Sequence, residues 1–189
     1  MRKADDTKRK IHEAALRLFV EKGVDGTTTR DLAQAAGIAE GTLYRHYVSK
    51  VALIEDLFLV NYASLARDLD RLQAEQPNFR AKLGVIVKAV CALYDENPVM
   101  FRFLMLTQHQ ALPQVDSNSD DNPVQVLERM ISQAISLGEL PQQPLGLATA
   151  MVLGLILQPA VALVYGRIEA PFGNYAEAVA AACWRAINP

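Results

Sequence analysis

Residues 28–47 hold two short helical stretches joined at Ala36-Gly37-Ile38, a pattern that leaves the N-terminal quarter of the chain few possible folds. Thr28 with Asp31 makes a capping-box-like start for the first stretch, with Asp in the usual Glu position. Gly37 is the stop signal, and Glu40 to His46 predicts a second, very short helix. A turn of this length lets the second helix stand away from the first and enter a DNA major groove. Upstream, Ile11, Ala14, Ala15, Leu18 and Phe19 keep one face apolar, which predicts an amphipathic helix over 6–22, ended by Gly23.

The helical period continues along the chain, with no convincing strand and no internal repeat, so the expected class is all-α with about nine helices. Ser49 caps a fourth helix in which Leu53, Ile54, Leu57, Phe58, Tyr62, Leu65, Leu69 and Leu72 hold one face to about residue 74, before Pro77 breaks it. Asn78 starts a fifth helix running to Asn97. Asn97-Pro98 and Asn122-Pro123 pair a cap with a first-position proline and start a sixth and a seventh. The polar stretch between them, 111–121, reads as a loop. Pro141–Pro144 and Pro171–Gly173 delimit an eighth and a ninth helix. The one clear boundary lies near residue 50, dividing 1–50 from 51–189, and the fourth helix bridges it.

Charge follows the same division. The net charge of −2 combines ten Lys/Arg against seven Asp/Glu in residues 1–52 with nine against fourteen beyond. A basic head on an acidic body suits a nucleic-acid end joined to a solvated partner domain. Two cysteines, Cys91 and Cys183, are too few for a disulfide framework or a zinc site and are expected to be buried thiols. The start lacks a signal-peptide core, which points to the cytoplasm. Residues 144–165 are uncharged and long enough for a membrane span. Thr149, Gln158-Pro159 and the glycines dilute that run, so the core of a helical assembly is the preferred reading.

On the third helix, Leu43 and Tyr47 lie four apart and are expected to pack inward. Gly41 and Arg45 point the other way, flanked by Thr42 and His46 on one side and Tyr44 on the other. Arginine can bond guanine at two atoms and the threonine methyl suits thymine, so Arg45, Thr42 and also Arg30 are candidate base readers. Thr29, Tyr44, His46 and Lys50 are candidate phosphate donors. Glu40 either accepts from cytosine or serves the helix N-terminus. Tyr44 and Tyr47 can each be read as core aromatics instead, and His46 as an ordinary surface residue.

Leu18-Phe19-Val20-Glu21-Lys22-Gly23, Thr27-Thr28-Thr29-Arg30-Asp31-Leu32-Ala33, Ala36-Gly37-Ile38, Gly41-Thr42-Leu43-Tyr44-Arg45-His46-Tyr47 and Ser49-Lys50 with Leu53 resemble the N-terminal domain of the TetR/AcrR family of transcriptional regulators. The resemblance covers about residues 7–58. It implies DNA contacts from Thr28, Thr29, Arg30, Thr42, Tyr44, His46 and Lys50; position 45 varies in the family, so Arg45 rests on helix geometry. Val48 departs from the polar residue common there.

The resemblance also implies a homodimer binding a palindromic operator, usually as a repressor, and a helical C-terminal domain that binds a small, largely apolar effector. Tyr62, Tyr94, Phe101, Phe103, Met105, Gln108, His109 and Gln158 are the candidate pocket residues, although each is also an ordinary core candidate. The small residues of helices eight and nine, about 144–187, are the candidate dimer interface; helix eight as internal core is the alternative. No cofactor, metal site or membrane is expected. His12, His46 and His109 do not form a metal spacing, and no nucleophile elbow, phosphate loop or paired-carboxylate motif supports an enzyme. A DNA-binding architectural protein without effector is the runner-up.

Overall fold

A computed structural model describes residues 2–111 and 119–189. The described residues form nine α-helices: α1 (Arg2–Lys22), α2 (Thr29–Ala35), α3 (Glu40–His46), α4 (Lys50–Ala74), α5 (Phe79–Glu96), α6 (Pro98–Ala111), α7 (Pro123–Ser136), α8 (Leu145–Val164) and α9 (Ala176–Ile187). A 3-10 turn over Phe172–Tyr175 leads into α9, and the described residues contain no strand. The all-α expectation therefore holds, and most predicted helix limits fall within a residue or two of the observed ones. The exception is α1, which begins at Arg2 rather than residue 6.

Local chemistry explains the ends. Thr28 accepts a hydrogen bond from the Asp31 amide while the Asp31 carboxylate accepts from the Thr28 amide, completing the capping box. Asn78 accepts from the Ala81 amide at the start of α5, and Asn122 from the Val124 amide at the start of α7. The C-terminus of α2 closes with Gly37 at φ +66°, its amide on the Gln34 carbonyl and the Ile38 amide on the Ala33 carbonyl. Only glycine reaches that left-handed conformation without a Cβ penalty.

Tight packing divides the chain into two units, one comprising Met1–Asn61 with Val99–Gln114, the other Tyr62–Pro98 with Val115–Pro189. This division differs from a boundary at residue 50, because α6 joins the head and α4 is shared. In the first unit, Ile11, Leu18 and Phe19 of α1, Leu32 of α2, Leu43 of α3 and Leu53, Leu57 and Phe58 of α4 are buried. Phe103 of α6 is 1% exposed and stacks on Phe19 with ring centroids 6.2 Å apart. Burying an aromatic side chain of this size contributes about 1.5–3 kcal/mol, which accounts for α6 siding with the head.

In the second unit, α9 packs on α5 and α8, and α7 packs on α8. Phe79 of α5 lies 6.3 Å from the Trp184 ring, and the Arg80 guanidinium sits 5.5 Å above it. Asp95, near the end of α5, accepts the Phe172 and Gly173 amides at 2.7 Å each and so holds the 3-10 turn. Cys91 and Cys183 are buried free thiols, each pushed up to about 11 by burial. α8 is long and apolar enough to cross a membrane, yet only 33% of its apolar window is buried within the chain. Val152, Ile156, Ala160 and Leu163 face inward, while Leu147 and Met151 stay exposed with Gly154 and Gln158.

Candidate nucleic-acid interface

α2 and α3 meet across the Gly37 turn and present one continuous outer surface. The predicted amphipathicity of α3 is observed: Leu43 and Tyr47 are 2% and 8% exposed, whereas Gly41, Tyr44 and Arg45 face solvent and Thr42 and His46 are half-buried. Beyond its chain neighbours and the backbone of its own helix, no atom lies within 4 Å of the place a Cβ on Gly41 would occupy, so this end of α3 is open to close approach. Arg30 is exposed near the start of α2.

Hydrogen bonds organise this surface before any ligand arrives. Thr29 Oγ1 donates to Glu40 Oε1 at 2.8 Å and lies 3.3 Å from Tyr44 Oη. Arg45 Nη2 donates to Thr42 Oγ1 at 2.9 Å, which positions the two candidate base readers side by side. The Thr28 hydroxyl is committed to Asp31 as a cap.

Lys50 departs from the expected free clamp. Its ammonium donates to the Val24 and Thr27 carbonyls at 2.8 and 3.0 Å, holding the α1–α2 turn against the start of α4. An ammonium has three donors, so one remains for a phosphate.

Sequence reading missed the group that braces α3 from behind. The Tyr47 hydroxyl donates to Asp56 Oδ2 at 2.6 Å. His12 Nε2 lies 2.6 Å from Tyr47 Oη and 3.0 Å from Asp56 Oδ2, and Lys8 pairs with Asp56 at 3.0 Å. α1, the end of α3 and α4 are thereby joined at one carboxylate. Burial holds His12 below its ordinary 6.5, against the opposing pull of Asp56. Burial alone would raise the Asp56 carboxyl, but hydrogen bonds from Tyr47 and Lys8 hold it below 3.8. Burial, then the Asp56 carboxylate, pushes the Tyr47 phenol up, so it stays a donor. The polar residues at positions 8, 12 and 56 were visible in the sequence, but nothing local linked separations of 44 and 48 residues.

The candidate effector residues divide between the two units. Phe101 and Phe103 are buried in the first unit, with Met105 half-buried on the same helix. Tyr94 is buried in the second, edge-on to Phe172 at 5.9 Å. Tyr62 is half-buried and its phenol is pushed up to about 12 by burial. Gln158 is exposed on the outer face of α8 rather than enclosed, because the apolar run around it packs on one side only. The side chains of Gln108 and His109 lie outside the described residues.

Two short helices across a glycine turn, with arginine, threonine and tyrosine on an open outer face, define a helix-turn-helix DNA-binding protein. Residues 11–57 match the bacterial regulatory proteins of the tetR family. A tetR family chain from Shewanella sp. PV-4, described as a transcription regulator, is 28% identical over 96% of this chain and 97% of its own, with a TM-score of 0.77. The nucleoid occlusion factor SlmA of Marinomonas sp. MWYL1 is 28% identical over 170 residues, 88% of this chain and 83% of its own. FadR from Bacillus subtilis, crystallised with stearoyl-CoA, shares the fold at a TM-score of 0.79 and 18% identity, over 93% of this chain and 96% of its own. The head, residues 11–57, carries the DNA-binding domain of the tetR family of bacterial regulatory proteins, and the chain as a whole is similar to regulators of that family.

Proposed function

We propose that this regulator is a cytoplasmic repressor that binds a palindromic operator as a homodimer and is released by a small effector. The observation that carries the reading is the open face formed by Arg30, Gly41, Thr42, Tyr44 and Arg45 beside a helix start free of bulk. In the proposed complex each α3 lies in a major groove, with Arg45 and Arg30 reading base edges and Thr29, Tyr44, His46 and Lys50 on phosphates. Two heads about one helical turn apart, roughly 34 Å or a multiple, match a two-fold site.

The exposed apolar face of α8 supports the dimer. Leu147, Met151 and Gly154 lie on one stripe of a helix whose opposite stripe is buried, and α9 adds the exposed Ala178 and the half-buried Ala181 and Ala182. Two copies of this pair would make a four-helix bundle, burying the stripe without a membrane. The effector in this reading is largely apolar and held in the second unit, with Tyr62 as the phenol able to fix its orientation. Its release of DNA requires different affinities for the two head arrangements. A tenfold loss of operator binding corresponds to about 1.4 kcal/mol.

The test is sequence-specific, salt-sensitive DNA binding at a palindrome. Arg30→Ala and Tyr44→Ala are expected to abolish specific binding while sedimentation still reports the dimer. Wild-type affinity in both variants would refute the assignment. The likeness to SlmA favours one alternative, a chromosome-wide binder without effector. Genome-wide occupancy separates the two: a few sites near regulated genes against many dispersed ones.

A further inference from the structure

α3 is seven residues long and buries one of them, Leu43. A helix that short depends on tertiary anchors for its shape and its direction. One buried leucine is one point of support, and apolar packing is non-directional, so it leaves α3 free to tilt about that point. A hydrogen bond at each end does have direction. Glu40, the first residue, accepts from Thr29 Oγ1 of α2 at 2.8 Å. Beyond the last residue the backbone turns extended at Tyr47 (φ −138°, ψ 119°), and the Tyr47 hydroxyl donates to Asp56 Oδ2 of α4 at 2.6 Å. Asp56 is itself held from α1, by the Lys8 ammonium and by His12 Nε2, each at 3.0 Å. The second tie therefore sets α3 against α1 and α4 together.

The charge of Asp56 has the wrong sign for the head it belongs to. A carboxylate there weakens the attraction for any duplex. Geometry accounts for its place instead. Base readout tolerates about 0.5 Å and 10–20° of misplacement, whereas attraction to phosphates depends on charge and forgives a change of angle. We infer that Asp56 is a positioning residue for sequence readout: through the Tyr47 hydroxyl it sets the tilt of α3, and so which base edges Thr42 and Arg45 reach. With Leu43 as the pivot, a tilt at the Tyr47 end moves Thr42, its neighbour, little and Arg45 more. The base pair facing Arg45 is therefore the one whose preference depends most on this tie. The inference deepens the DNA-binding reading and rests on it: it adds a specificity-determining group that acts from behind the reading helix.

The experiment selects the preferred duplex of the full chain from a randomised library and compares its affinity with that for random duplex, in the parent and in variants. Tyr47→Phe keeps the ring and removes the tie. It is expected to keep the parent's circular dichroism and its salt slope on random duplex. The preferred-to-random ratio is expected to fall about tenfold, or about 1.4 kcal/mol, the weight of one good base contact. Asp56→Leu is expected to lower the ratio equally while affinity for random duplex holds or rises, because a negative charge is gone. Asp56→Asn retains an accepting oxygen and is expected to retain most of the ratio. Tyr47→Phe combined with Asp56→Leu is expected to cost no more than either alone, since all three lose the same tie. Ile11→Val, which trims a methyl from the fully buried core of the head, is the control: a lower melting temperature with the parent's ratio. A parent ratio in Tyr47→Phe overturns the assignment. So does an equal loss on preferred and random duplex, an Asp56→Asn chain no better than Asp56→Leu, or losses that multiply in the double variant. A parent chain with no preferred duplex refutes the DNA-binding reading itself, and the assignment with it, before any variant is made.

Discussion

Thr29 Oγ1 donates to Glu40 Oε1 at 2.8 Å, so the first residue of α2 is fastened to the first residue of α3 across the glycine turn. A carboxylate in a phosphate-binding surface has an electrostatic cost, and here it orders two neighbours, Thr29 directly and Tyr44 through Thr29. Being acceptor-only, it favours base edges that donate, such as cytosine N4.

Glu40→Ala is therefore expected to strengthen binding to random DNA a few-fold while flattening preference at one base-pair position by about 1–3 kcal/mol. Competition binding across an operator library with single substitutions measures both. Unchanged preference at every position would show that Glu40 orders the surface without reading it.

Met151→Glu places a charge on the open stripe of α8 at a residue 37% exposed in the single chain. The fold is expected to survive, with circular dichroism unchanged, and the dimer to dissociate. Operator affinity would then fall in step with dimer concentration. A stable Met151→Glu dimer with wild-type sedimentation would move the interface off this face.

The His12, Tyr47 and Asp56 cluster makes the head sensitive to acid. His12 sits below 6.5 in the folded head because of burial, so between that value and its lower folded one the unfolded chain holds a proton that the folded head refuses. Stability is full above pH 6.5, falls as pH drops through this window, and levels off below it. Asp56, held below 3.8, adds a second loss at more acidic pH. His12→Gln is expected to remove the first loss and keep the second. Denaturant midpoints from about pH 2 to 8, a range that brackets both groups, measure this, and an unaltered profile would place the proton elsewhere.

Gly37→Ala forces a Cβ into a left-handed conformation at φ +66°. The expected loss is about 1–2 kcal/mol of head stability, with no nearby atom to add a clash. A thermal melt of the full chain reads it as an earlier transition. An equal or higher midpoint would mean that the turn relaxes to another conformation.

The legible part of this protein was whatever local rules encode. Caps at Thr28, Asn78 and Asn122, the stop at Gly37 and the apolar faces of α1 and α4 depend on neighbours within four residues, so periodicity and capping chemistry located them. The outward face of α3 was legible for the same reason, since a helix fixes which side chains share a side. Side-chain commitments were not. Lys50 read as an available donor, yet it holds a turn 23 residues away.

Tertiary packing alone decided three further matters. It joined Lys8, His12, Tyr47 and Asp56 at one carboxylate, put α6 with the head through the Phe19–Phe103 stack, and turned Gln158 outward. Each depends on which helix lies against which, and apolar burial, which drives that choice, is non-directional and leaves no mark on any short stretch of sequence.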